Sequence, residues 1–212
     1  VPAALFVHSA FEAGLVQGSP VRAVFRSPGL APADIAPVID AARASGLWVT
    51  TELGLFATAL ADLGSERSYA PDVLAVTGTN GKTTVTALTG QLVARAGKSV
   101  AVAVNSGPTV LDTLGQHLDE DALPQVWVIE LSSFQLDGVE NFEPKAATVL
   151  NVTQDHLDWH GSMAAYAAAK ARLSGSGTTM VVNRDDLVVE AMVPAPVLAK
   201  GGRDATSIFL QR

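Results

Sequence analysis

Short runs of β-branched and apolar residues alternate along the chain with longer stretches in which apolar positions recur every three or four residues. The short runs are Val21–Phe25, Leu47–Thr51, Val73–Thr77, Ser99–Val104, Val126–Leu131, Ala146–Asn151 and Thr178–Asn183, each bounded by turn-forming residues. Most lack strict in–out alternation, which predicts strands covered on both faces of a parallel sheet. Asp34–Ser45 carries Ile35, Val38, Ile39 and Ala42 on one helical face and stops at Gly46. Thr83–Ala96 forms a second helix ending at Gly97, and Ser162 is the expected N-cap of an alanine-rich helix over Met163–Leu173. Strands and helices in this alternation predict right-handed βαβ units and an α/β fold built as a three-layer parallel sheet.

The polar, proline-terminated stretch Gly64–Pro71 is the expected boundary between two regions. Residues 1–64 hold two strands and a helix or two, too few for a complete sheet. Residues 65–212 hold the other five strands and form the body. The chain opens Val1-Pro2 and closes in the apolar Ser207–Arg212, and both ends are read as trimmed.

Composition narrows the chemistry. Of 212 residues, 48% are apolar and 17% charged, which suits a domain with a real core. A net charge of −7 argues against a general nucleic-acid binder. The absence of cysteine excludes a disulfide framework, a thiolate zinc site and a thiol nucleophile, and fits a cytoplasmic protein. No apolar run reaches the ~20 residues of a membrane helix. Phosphates, if bound, need a local device.

That device is legible. In an open parallel sheet, ligands sit beyond the carboxyl ends of the strands. The strand Val73–Thr77 runs into Gly78-Thr79-Asn80-Gly81-Lys82-Thr83-Thr84, a glycine turn opening a helix. Backbone N–H groups there can approach phosphate oxygens, Lys82 can reach the β/γ-phosphates, and the Thr83 hydroxyl can face Mg²⁺. The usual phosphate loop would place glycine at position 76, which is Val76, so the match is to a shorter form. Glu130 ends an apolar strand, where a carboxylate is costly unless it meets a cation. Spacing alone leaves His156 open between a loop histidine and a ligand, and His160 is read as structural. Lys170 needs no explanation as a solvated helix lysine, but aimed at a cation site its pKa would fall.

Taken together, Val76–Thr84, Glu130-Leu-Ser-Ser-Phe-Gln-Leu136 and Asn151-Val-Thr-Gln-Asp-His-Leu-Asp158 resemble the Mur ligase family of ATP-dependent amide-forming enzymes. The second motif most resembles that of the D-glutamate-adding branch. Ser27-Pro28-Gly29 and Thr51–Phe56 are similar to the end of its uridine-binding, Rossmann-like N-terminal domain. The resemblance covers nearly the whole chain.

It implies a P-loop-type ATP-binding central domain, two Mg²⁺ ions, and transfer of D-glutamate to UDP-N-acetylmuramoyl-L-alanine through an acyl phosphate, in peptidoglycan precursor synthesis. Gly78 to Thr84 would hold ATP, Lys82, His156 and Lys170 would be catalytic, and Thr83, Glu130, His156 and a carbamylated Lys170 would hold the metals. Ser27, Pro28, Gly29, Asn105, Ser132 and Gln135 would contact the UDP substrate. The same resemblance implies a cytoplasmic monomer acting on small molecules, with no nucleic acid and no membrane as partner.

Three features depart from the family pattern. Val104-Asn105-Ser106-Gly107 stands where the family shows Gly-Asn-Ile-Gly, putting a branched side chain where backbone approaches ligand. Leu173-Ser174-Gly175 replaces a bulky and an aromatic residue, and Lys145, near the strand entering Asn151, has no role that the sequence explains. The glycine-rich uridine loop and the C-terminal domain that binds D-glutamate are expected elsewhere than in these residues. Three other readings remain open: another ligase of the Mur or folylpolyglutamate type, a non-catalytic nucleotide-binding module, and a plain α/β domain whose Gly-Lys-Thr is incidental.

Overall fold

The computed structural model describes residues 10–105 and 107–193, and the backbone of residues 207–210. The two compact units divide between Thr51 and Glu52.

The first unit is one βαβ turn. Strands β1 (Ala23–Arg26) and β2 (Trp48–Thr51) pair in parallel, and helix α1 (Pro32–Ala44) connects them. Pro32 suits the first helical turn, where its missing N–H has no intrahelical partner. Gly46, at φ 67°, ends the helix as the sequence predicts. Val38, Ala41 and Ala42 pack with Val16 beneath Val24 and Val49 of the strands.

The second unit opens with helix α2 (Glu52–Arg67) and strand β3 (Asp72–Thr77). Helix α3 (Lys82–Arg95), strand β4 (Val100–Ala103), helix α4 (Val110–Asp119) and strand β5 (Val126–Glu130) follow. Next come the short helix α5 (Ser133–Leu136), strand β6 (Ala146–Val149), the single turn α6 (Leu157–His160) and helix α7 (Met163–Ala171). Strand β7 (Thr179–Asn183), the turn α8 (Leu187–Glu190) and strand β8 (Ser207–Leu210) complete it. The strands form one sheet in the order β4-β5-β3-β6-β7-β8, with every adjacent pair parallel. The α/β fold with a parallel sheet is therefore as the sequence predicts, and β8 is a strand it did not.

The layers follow from residue parity. Val73, Ala75, Ala101, Ala103, Trp127 and Ile129 face a core shared with Leu53, Phe56 and Leu63 of α2 and Val110 and Leu114 of α4. Phe56 meets Trp127 edge-on at 5.0 Å. Helix α3 lies on the opposite face, where Gly90 abuts Val102. All of β5 is buried, as its unbroken apolar run requires. A Cβ at Gly90 would come within 2.5 Å of Val102 Cγ2. Overpacking costs about 1–3 kcal/mol against roughly 1 kcal/mol gained in helix propensity. We expect Gly90→Ala to lower the urea midpoint, and Val102→Ala in the same chain to reverse the loss.

The stretch Gly64–Pro71 is not where the units part. Helix α2 runs through Gly64 to Arg67, and Tyr69 is built into the core edge. Its hydroxyl donates to the Pro124 carbonyl at 2.7 Å and accepts from Trp127 Nε1 at 2.9 Å. Local polarity suggested a linker, but the helix lies on an apolar stripe that belongs to the second unit. Lys145 now has a place: it pairs with Asp72 at 2.7 Å where β3 and β6 begin, away from the strand tips.

Candidate functional site

The tips of β5, β3 and β6 stand side by side in the sheet, and the segments leaving them converge. The loop leaving β3 depends on two glycines. Gly81 has φ 83°, a conformation that β-carbons disfavour, and a Cβ on Gly78 would press to 3.0 Å from Leu150 Cβ. The loop then delivers Lys82 as the first residue of α3, so the helix N-terminus faces whatever the loop holds.

The next strand braces this loop from behind. Thr79 N–H donates to the Asn151 carbonyl at 2.9 Å. Asn80 and Asn151 exchange a pair of bonds: Asn80 N–H donates to Asn151 Oδ1 at 2.9 Å, and Asn151 Nδ2 donates to the Asn80 carbonyl at 3.0 Å. The Thr79 hydroxyl accepts from Thr153 N–H at 3.0 Å and lies 3.0 Å from the Tyr166 hydroxyl. A loop held this firmly would need little reorganisation to receive a phosphate.

Two amines meet at one oxygen of that loop. Lys82 Nζ donates to the Gly78 and Thr79 carbonyls at 3.1 and 3.0 Å. Lys170 Nζ, from α7, donates to the same Gly78 carbonyl at 3.0 Å and lies 3.5 Å from Thr77 Oγ1. Lys170 is only 1% exposed and sits 4.5 Å over the Tyr166 ring. Burial, reinforced by the charge of Lys82, lowers its pKa to about 7. The solvated-lysine alternative for Lys170 is therefore set aside by its burial.

Glu130 is also buried, 6% exposed, and its Oε2 has no hydrogen-bond partner. An uncompensated carboxylate oxygen at a strand tip beside a phosphate loop is a strong cue for a cation. Among the described residues no cluster of three or more acidic or histidine side chains could hold a metal unaided. Mg²⁺ takes one or two protein carboxylates and completes its shell with phosphate oxygens and water, and Glu130 Oε2 is free to serve as one such ligand. The residues therefore fit a nucleotide-bound Mg²⁺.

His156 precedes α6 in the left-handed conformation, φ 51°. For a non-glycine residue this is uncommon backbone of the kind found at functional sites. Its ring packs 4.6 Å from Phe134 and 6.3 Å from Tyr166, with Nε2 3.4 Å from Asp155 Oδ2.

Ser132 and Gln135 are engaged with each other in a capping box at the start of α5. Ser132 Oγ accepts from Gln135 N–H at 3.2 Å, and Gln135 Oε1 accepts from Ser132 N–H at 3.0 Å. Asn105 is exposed on the turn after β4, and Thr83 and Thr84 are exposed at the start of α3. Val104 leans over that turn, its Cγ2 2.9 Å from where a Cβ on Gly107 would stand. Ser106 lies outside the described residues. Ser27, Pro28 and Gly29 form the turn after β1 in the first unit.

Thr77, Asn151, Ser133 and Tyr166 are not among the site residues expected from the sequence. Thr77 is fully buried and donates to the Leu131 carbonyl at 2.7 Å, tying the β3 tip to that of β5. Tyr166 had a signal, since it lies one helical turn before Lys170. Asn151 had one too, as the residue opening a motif at a strand tip.

Residues 76–198 match the Mur ligase middle domain. The chain is 66% identical over 94% of its length to a UDP-N-acetylmuramoylalanine--D-glutamate ligase of Albidiferax ferrireducens, covering 40% of that protein. It is 55% identical over 95% of its length to the protein of that name in Burkholderia mallei, again covering 40%. Among solved structures, a UDP-N-acetylmuramoyl-L-alanyl-D-glutamate--2,6-diaminopimelate ligase superposes with a TM-score of 0.55 at 28% identity, over 72% of this chain and 38% of the other. The chain thus spans less than half the length of these relatives. With its middle-domain match over residues 76–198, the chain belongs to the Mur ligase family.

Proposed function

We propose that this chain supplies the nucleotide-binding and acyl-activating half of an ATP-dependent ligase that joins D-glutamate to UDP-N-acetylmuramoyl-L-alanine. The observation that carries the reading is the meeting of Lys82 and Lys170 at the Gly78 carbonyl, with the unpartnered Oε2 of Glu130 at the tip of the neighbouring strand β5. The named relatives supply the choice of substrates.

The reaction has two displacements. The L-alanyl carboxylate attacks the γ-phosphorus of ATP, giving an acyl phosphate and ADP. The D-glutamate amine then adds to the acyl carbon, and phosphate leaves as the tetrahedral centre collapses. In the first step an anion approaches a polyanion, so charge compensation and alignment dominate the barrier. Lys82 offers a point charge to the β/γ-phosphates, while the N–H groups of Gly81 to Thr84, at the N-terminus of α3, would hold their oxygens.

Glu130, Thr83 and His156 are the proposed protein ligands of two Mg²⁺ ions, with Lys170 contributing as its carbamate. A Mg²⁺ ion held by these residues would withdraw charge from phosphate and carboxylate oxygens. A carbamate forms only on a neutral amine, and the lowered pKa of Lys170 leaves a large neutral fraction near pH 7. Ser132, Gln135 and Asn105 are proposed contacts to the muramoyl-alanine end, and Ser27, Pro28 and Gly29 to the uridine diphosphate end. Among the described residues no helix is long and apolar enough to cross a membrane, in keeping with small soluble substrates. We read the enzyme as a cytoplasmic monomer.

The test is phosphate release from Mg²⁺-ATP by the full-length polypeptide given UDP-N-acetylmuramoyl-L-alanine. Release should require D-glutamate and fail with L-glutamate and a panel of other amino acids. Release with a different acceptor would move the protein to another branch of the family. ATP binding without release for any acceptor would make it a nucleotide-binding module.

A further inference from the structure

One side chain outside the proposed ligand set joins the two segments that carry Glu130 and His156. His160 ends the turn α6, whose backbone hangs from His156: the His156 carbonyl accepts from the N–H of Trp159 at 3.2 Å and of His160 at 3.0 Å. The orientation of residues 156–160 is therefore fixed as a unit. At the far end, His160 Nε2 lies 2.9 Å from Ser133 Oγ, and Ser133 is 2% exposed. Ser133 opens α5, directly after the β5 tip that bears Glu130. The His160 ring is stacked parallel to Phe134, 5.7 Å between centroids, and Tyr166 flanks it at 5.2 Å. With Trp159 edge-on at 4.5 Å, the imidazole is held among three aromatic rings with its nitrogen aimed at one buried hydroxyl.

We infer that His160 is a positioning residue, a strut whose bond to Ser133 sets the separation of Glu130 and His156 and so tunes divalent-cation binding beside the nucleotide. The inference rests on the metal reading of those two side chains. Groups that orient ligands from behind commonly change metal affinity by an order of magnitude or more. The bond is the directional link between the two segments, added to the packing of Phe134 on the His156 and Trp159 rings.

The experiment titrates Mn²⁺ as probe, by electron paramagnetic resonance, into the full-length polypeptide with a non-hydrolysable ATP analogue. His160→Phe keeps a flat ring between Phe134 and Tyr166 and removes the nitrogen. We expect Mn²⁺ to bind about tenfold more weakly, with near- and far-ultraviolet circular dichroism unchanged. Ser133→Ala should weaken it similarly, and the double variant should be no worse than either single one, since both remove the same bond. His160→Gln, which presents an amide nitrogen at comparable reach, should restore binding to within about twofold of the wild type. Unchanged binding in His160→Phe, additive losses in the double variant, or no restoration by glutamine would each overturn the strut. Absence of Mn²⁺ binding in the wild type would instead overturn the metal reading, and the strut with it.

Discussion

Lys82→Ala should reduce D-glutamate-dependent phosphate release by about a thousandfold or more, comparable to losing a principal transition-state charge donor. The expectation rests on where the amine is held. The carbonyls of Gly78 and Thr79 fix Lys82 Nζ over the loop whose N–H groups would carry the phosphates. Lys82→Arg should not restore turnover, because a planar fork cannot take the place of a compact ammonium between two carbonyls of one tight loop. The variant has a second readout. Lys170 shares the Gly78 carbonyl with Lys82, and the charge of Lys82 helps depress the Lys170 pKa. Removing that charge should raise the pKa of Lys170, read by the pH dependence of its reaction with a small acylating reagent. Turnover retained in Lys82→Ala would remove the phosphate-loop assignment.

The parts of this site that sequence exposes are those whose physics is local. Gly78, Gly81 and Lys82 announce a phosphate loop because the backbone conformation and the charge are needed within a few residues of one another. Glu130 is conspicuous for the opposite reason, as a charge closing a run of four apolar residues. The bracing is silent because it is long-range. The Asn80–Asn151 exchange spans 71 positions and Lys170–Gly78 spans 92, and neither has a periodicity to reveal it. His160 looks like an ordinary turn residue until the fold brings Ser133 to it.

Fold elements divide in the same way. Strands β3, β5 and β6 stand out because buried parallel strands are continuously apolar, whereas α2 is broken in appearance by Gly54, Gly64 and a polar tail. Its apolar positions are correct for a helix, and only the core of the second unit shows that they are used. Helix α4 did carry a signal: Thr109 caps it by accepting from Asp112 N–H, and Val110, Leu114 and Leu118 follow at one-turn spacing. Strand β8 is four residues long, with three consecutive apolar side chains and no alternation, too little for pattern alone.

Lys170→Ala should be nearly inactive and partly rescued by acetate or formate. Alanine removes the amine on which a carbamate forms and leaves room beside Gly78 and Thr77 for a free carboxylate of similar charge. Rescue should saturate with the added acid, and should be absent from Lys170→Met, where the side chain fills that room. No rescue in the alanine variant would reduce Lys170 to a packing residue. The same lysine should leave a mark on stability. Below pH 7 its amine is protonated in both folded and unfolded chains, so the folded state bears the full penalty of the buried charge. Between about 7 and the ordinary lysine value of 10.5, the unfolded chain holds the proton and the folded chain does not. Stability from this group therefore rises with pH across that window. Unfolding midpoints measured in low bicarbonate should show the rise in the wild type and lose it in Lys170→Met. An unchanged slope in that variant would mean the amine is not held neutral. The carbamate would then lack the nucleophile from which it has to form.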